Sequence, residues 1–97
     1  MATVVYSAPV LSHLERALEF LASENPDVAI AAASAIRSAI ETLAAHPLLG
    51  RRVHGDIREL VISYGKTGYI ALYRFVVPHD EVRVIAIRPQ REIGFVP

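Results

Sequence analysis

The chain has 97 residues, of which 53% are apolar, and its ten cations balance ten anions to leave a formal net charge of zero. These values set the expectation of one folded domain over residues 1–97 and exclude a disordered chain. A domain this small holds one core, so binding or chemistry is expected on an open face, an edge or a terminus.

Cysteine is absent, which removes disulfides, thiolate zinc sites and cysteine nucleophiles. Met1 to Tyr6 carries no basic residue ahead of its apolar ones, unlike a secretory leader. The longest uncharged apolar run, Val28 to Ile36, is far shorter than the ~20 residues of a spanning helix. The expectation is a cytoplasmic protein without membrane contact. The zero net charge hides a split. Residues 1–50 carry two cations against five anions, −3, and residues 51–97 carry eight against five, +3. Seven of the eight C-terminal cations are arginine, a side chain suited to planar recognition of carboxylate or phosphate.

In chain order, Thr3 to Tyr6 is β-branched and aromatic and reads as a short strand. Ser7 offers a hydroxyl cap and Pro9 fits a first helical turn. Val10, Leu14, Ala17, Leu18 and Leu21 then recur at helical spacing, which predicts an amphipathic helix ending near Glu24. Asn25-Pro26-Asp27 is a restart signal, and the spacing of Ile36, Ile40 and Leu43 predicts a second helix to about His46. The short connection makes the two an antiparallel hairpin. Residues 47–55 read as a basic, irregular loop.

After this loop the period falls to about two. Strands are predicted over Asp56 to Tyr64, Tyr69 to Val77 and Val82 to Arg88, with turns at Gly65 to Gly68 and Pro78 to Glu81, an antiparallel meander. One face of the meander gathers Leu60, Ile62, Tyr64, Tyr73, Phe75, Val84 and Ala86. The other gathers Val61, Ile70, Leu72, Ile85 and Ile87 together with Glu59, Arg74 and Arg83. The pattern leaves open which face the helices cover.

No two of His13, His46, His54 and His79 have metal-ligand spacing, so no metal site is expected. No serine has the context of a nucleophile elbow, and no cofactor motif is present. The remaining set with chemical scope is basic: Arg58, Lys66, Arg88 and Arg91, with Tyr69 nearby on the strands. A metal-free ribonuclease could use such a set, arginines offsetting charge on phosphate oxygens while lysine, tyrosine or histidine moves protons. The same residues could equally pair with Glu59, Glu92 or backbone carbonyls.

The order strand, helix, helix, three strands resembles the RelE/ParE superfamily of bacterial type II toxins. The resemblance rests on His46-Pro47-Leu48-Leu49-Gly50-Arg51, then Arg58-Glu59-Leu60-Val61, then Gly68-Tyr69-Ile70-Ala71-Leu72-Tyr73-Arg74, then Val84-Ile85-Ala86-Ile87-Arg88 with Gln90-Arg91-Glu92. It implies an α+β fold in which a helical hairpin packs on a small, mostly antiparallel sheet. It also implies a toxin held inactive by a cognate antitoxin. RelE-like members cleave messenger RNA on the ribosome, and ParE-like members poison DNA gyrase. Arg88 and Arg91 match the family's basic position after the last strand. The chain then reads Glu92-Ile93-Gly94-Phe95, and Phe95 has no transferable proton where the RNase branch often carries tyrosine or histidine.

The resemblance therefore leans to the ParE, or plasmid stabilisation, branch and away from an enzyme. Gyrase would be met by Arg51, Arg52, Arg88, Arg91 and Phe95. The antitoxin would lie on Leu11, Leu14, Leu18 and Leu21 of the first helix. A ribosome-dependent endoribonuclease using Arg58, Lys66, Arg88 and Arg91 is the alternative, and a non-toxic module that only titrates an antitoxin is a third. A homodimer or a toxin–antitoxin hetero-oligomer is compatible with each.

Overall fold

The computed structural model describes residues 1–64 and 67–90. Its elements are β1 (Thr3–Tyr6), α1 (Ala8–Glu24), α2 (Pro26–Glu41), β2 (Arg51–His54), β3 (Ile57–Tyr64), β4 (Thr67–Val76) and β5 (Glu81–Pro89). The helices form a hairpin on one face of a five-stranded sheet of order β1-β5-β4-β3-β2. This is the expected α+β architecture.

The hairpin is set by its caps. Ser7 accepts a hydrogen bond from the Val10 amide, and Pro9 occupies the first turn of α1. Asn25 serves both helices. Its own amide donates to the Leu21 carbonyl at 2.9 Å, and its Oδ1 accepts from the Asp27 amide at 3.0 Å. One residue thus ends α1 and starts α2, and the two helices must turn back on each other. Ala29 and Ala32 are buried on α2, where their small side chains let the helices approach closely.

α2 stops at Glu41, five residues before the expected His46. Thr42–Ala44 tightens into a 3-10 turn. Pro47 supplies no amide to extend the helical ladder, and the last turn contracts before it, placing Leu43 fully in the core.

The meander is as expected, with β3–β4 and β4–β5 antiparallel. Two features differ from the sequence reading. Arg51–His54 is an edge strand rather than irregular loop. It pairs with β3 through Arg51↔Glu59 and Arg52↔Arg58, and the chain reverses at Gly55, whose φ is +57°. All four residues are exposed, so no apolar alternation marked them. The second feature is β1, which lies parallel to β5 with Thr3↔Glu81 and Tyr6↔Val84. The Thr3 amide donates to the Asp80 carbonyl at 2.9 Å and the Ala2 amide to the Ala44 carbonyl at 2.8 Å.

The helices cover the face that carries Leu60, Ile62, Tyr73, Phe75 and Val84, along with Tyr69, Ala71 and Val82. Two expected placements change. A register shift lies between Leu72↔Ala86 and Tyr73↔Val84, so Ile85 is an extra residue in β5. This bulge reverses the alternation beyond it. Ile87 therefore enters the core at 3% exposure, and Ala86 falls on the uncovered side.

Candidate functional site

Three of the sequence motifs meet at one joint. Gly50 lies against Tyr73, and its amide donates to the Tyr73 hydroxyl at 2.8 Å. A Cβ at Gly50 would stand 2.6 Å from the Glu59 carbonyl oxygen and 2.7 Å from Tyr73 Cε1, so only glycine fits. Arg58 points to the same place from the neighbouring strand. Its Nη1 donates to the Gly50 carbonyl at 2.7 Å and the Leu48 carbonyl at 3.3 Å. Arg51 Nε meets Glu59 Oε1 at 2.7 Å. The His-Pro-Leu-Leu-Gly-Arg run, the Arg-Glu-Leu-Val run and Tyr73 are thus parts of one buttress fixing the loop after α2 to the sheet.

The tyrosines around the core hold their protons. Burial raises the pKa of Tyr73, against the smaller opposing pulls of the Gly50 hydrogen bond and the Arg58 charge. Burial alone raises Tyr69. Burial and the Glu41 carboxylate raise Tyr6, with Arg37 opposing. None is poised as a general base at neutral pH.

The face opposite the helices is open. Across it run Val61 on β3, Ile70 and Leu72 on β4, and Ile85 on β5. Val61 is 48% exposed and Ile85 37%. Arg51, Arg74 and Arg83 share this side, and each faces a carboxylate: Glu59 for Arg51, Asp56 for Arg74 at 3.1 Å, and Glu81 for Arg83. Arg88 stands opposite Ile70 on the same face and has no carboxylate within ion-pair distance among the described residues.

Of the basic set expected for phosphate chemistry, the two described members, Arg58 and Arg88, are not gathered. Arg58 pairs with Tyr73 on the covered side, whereas Arg88 pairs with Ile70 on the open side. The two guanidinium groups therefore lie on opposite faces of the sheet and cannot hold one phosphate. Lys66, Arg91 and Phe95 lie outside the described residues. Arg51 and Arg52, expected to act together from a loop, point to opposite sides of strand β2, and Arg52 Nε donates to the Gly55 carbonyl at 3.1 Å. Among the described residues, no three His, Cys, Asp or Glu side chains are placed to share a metal ion.

On the far side of the molecule, α1 and α2 leave an open groove of about 540 Å³. Leu11, Leu14 and Leu18 line it, three of the four residues expected to receive the antitoxin. The fourth, Leu21, turns inward against the core. Ile30 of α2 closes the other wall and is 70% exposed. The sequence reading missed Ile30, although an isolated isoleucine off the Ile36–Ile40–Leu43 stripe is a visible signal. Glu15 and Glu19 also line the groove.

Residues 4–94 match the family model for the ParE toxin of the type II toxin–antitoxin system, parDE. The chain belongs to the ParE toxin family. Within the wider RelE/ParE superfamily it is also similar to Toxin RelE3 of Caulobacter vibrioides, with 39% identity over 79 residues that cover 81% of this chain and 84% of that protein. The chain is thus a toxin of a type II toxin–antitoxin system, and membership implies a cognate antitoxin. No helix among the described residues is long and apolar enough to cross a membrane. In this ParE-family chain the matched stretch contains the whole buttress, the open face and the hairpin groove.

Proposed function

We propose that this toxin acts through protein contacts, as an inhibitor of DNA gyrase, and that its antitoxin neutralises it by occupying the hairpin. The observation that carries this reading is the disposition of charge. Three open-face arginines are matched by carboxylates, and Arg58 is held by backbone carbonyls on the other side. A surface that is apolar and locally neutral suits a protein partner better than a polyanion, whose binding needs unmatched cations. The target contact runs along the open face through Arg51 and Arg88, with Arg91 and Phe95 beyond the last strand and Arg52 on the β2 edge.

The hairpin groove suits the apolar side of an antitoxin helix, read at i, i+3/i+4 and i+7 spacing. Glu15 and Glu19 favour lysine or arginine at the margins of that helix. Expression without the antitoxin should arrest growth. The purified toxin at micromolar concentration should inhibit gyrase supercoiling and accumulate gyrase–DNA cleavage complexes. Unaffected supercoiling at that concentration rejects this reading.

The name Toxin RelE3 carried by the Caulobacter relative favours a second reading, a ribosome-dependent endoribonuclease. Primer extension on translated messages separates the two. Cleavage lost in Arg88→Ala and Arg91→Ala, with gyrase untouched, selects the ribonuclease.

A further inference from the structure

Strand β2 is an edge of the sheet, and no described strand pairs with its outer side. All four of its residues, Arg51–His54, are exposed. An edge strand offers unpaired backbone N–H and C=O groups to any extended chain that can lie beside it. Just ahead of this edge stand Leu48 and Leu49, 60% and 56% exposed. Their backbone is held in place. The Leu48 carbonyl accepts from Arg58 Nη1 at 3.3 Å, the Leu49 amide donates to the His46 carbonyl at 3.1 Å, and Gly50 is seated on Tyr73. The buttress thus presents two leucines and an open edge as one preset surface. Its charge is one-sided. Among the described residues, Arg51, Arg52, Arg58 and Arg74 meet the carboxylates of Glu59 and Asp56 alone, and Arg52 Nε is bonded to the Gly55 carbonyl.

We propose that an extended, acidic segment of gyrase adds to β2 as a further strand, with its carboxylates on Arg51 and Arg52 and its apolar side chains on Leu48 and Leu49. This rests on the reading of gyrase as the target, and it gives the chemistry of one part of that contact. Backbone hydrogen bonds along the edge supply affinity, and side chains on alternate sides supply selectivity. Arg51 and Arg52 point to opposite sides of the strand, so carboxylates at neighbouring positions of the added strand reach one each. The arginines, together with the register shift between Arg52 and His54, guard the edge against stray strands. A second copy of this chain is refused on that ground, because two β2 strands side by side set arginine against arginine. A nucleic acid satisfies the arginines but leaves the two leucines in water. The antitoxin belongs elsewhere by the same reasoning: Glu15 and Glu19 of the hairpin groove ask for cations, whereas β2 asks for carboxylates.

Hydrogen exchange read by mass spectrometry on the full-length toxin, alone and with excess gyrase, tests this placement. Gyrase should slow exchange in residues 51–54 about tenfold, as the outer amides of the edge gain partners. Leu49→Ser combined with Arg52→Glu should raise the toxin concentration needed for half-inhibition of supercoiling about tenfold, at unchanged circular dichroism. Inhibited supercoiling with unslowed exchange at 51–54 overturns the added strand and leaves gyrase as the target. Neither inhibition nor slowing overturns both. Undiminished inhibition by the double variant also overturns the added strand. So does slowing at 51–54 that single-stranded RNA, or a higher toxin concentration alone, produces and gyrase does not, which would give the edge to a polyanion or to a second copy.

Discussion

The buttress around Gly50 and the open face of the sheet are neighbours built on opposite principles. In the buttress each group has defined partners: the Gly50 amide on the Tyr73 hydroxyl, Arg58 on two carbonyls, no room for a Cβ. On the open face the apolar side chains are half-exposed, and three of the arginines, Arg51, Arg74 and Arg83, are paired with carboxylates. The buttress constrains residue identity, and so yields recognisable motifs. The open face and the groove constrain only character, apolar here and acidic there. The family motifs are written in the first region, and the proposed contacts lie in the others.

The sharpest way to break this contrast is Gly50→Ala. The new methyl meets backbone and a buried ring, and overpacking should cost about 2–3 kcal/mol in urea denaturation. If Gly50→Ala is neutral, the joint is not the rigid element described. Next is Tyr73→Phe, which leaves the Gly50 amide buried without an acceptor. A loss of about 1–3 kcal/mol is expected.

The same variant has a pH signature. The folded-state pKa of Tyr73 is raised, so its contribution is complete below the ordinary tyrosine value, about 10. It is lost as pH rises through the folded value. Stability should therefore fall above about pH 10, and Tyr73→Phe should fall less steeply, with Tyr69 and Tyr6 supplying the remainder.

On the uncovered surfaces the effects move from stability to binding. Leu11→Asp or Ile30→Asp should weaken antitoxin binding about tenfold or more by calorimetry, while leaving the unfolding midpoint nearly unchanged. Wild-type affinity in both would remove the groove from the antitoxin site. Gly55→Ala should cost about 1 kcal/mol, purely from its positive φ, since nothing lies within 4 Å of the added methyl. The smallest expected effect is Arg88→Ala. It should shift stability by less than about 0.5 kcal/mol, yet reduce gyrase inhibition if Arg88 meets the target.

Much of this architecture was readable from the residues. Asn25-Pro26-Asp27 marked the hairpin because one side chain can cap only one way, and the meander followed from period-two alternation. β2 was missed because Arg51–His54 is exposed on both sides, so burial left no pattern there. The bulge at Ile85 was missed because one isoleucine among alternating apolar residues gives no local sign that the ladder skips. Of the four leucines proposed for the antitoxin, Leu11, Leu14 and Leu18 line the hairpin groove, whereas Leu21 rotates into the core. The separation of Arg58 from Arg88 could not be read, since it depends on strand register across the sheet.

The pairing of β1 with β5 also has a kinetic consequence. Thr3 bonds to Asp80 and lies beside Glu81, so the first strand made must wait for the last before it has a partner. Contacts that join distant parts of a chain form late and slowly. During synthesis the nascent toxin therefore carries an open edge at β5's future place and an incomplete sheet. The sheet cannot be complete before the chain is nearly finished, whereas α1 and α2, which line the hairpin groove, are made well ahead of β5. An antitoxin that occupies the hairpin, as proposed, would find its groove made before the sheet is complete.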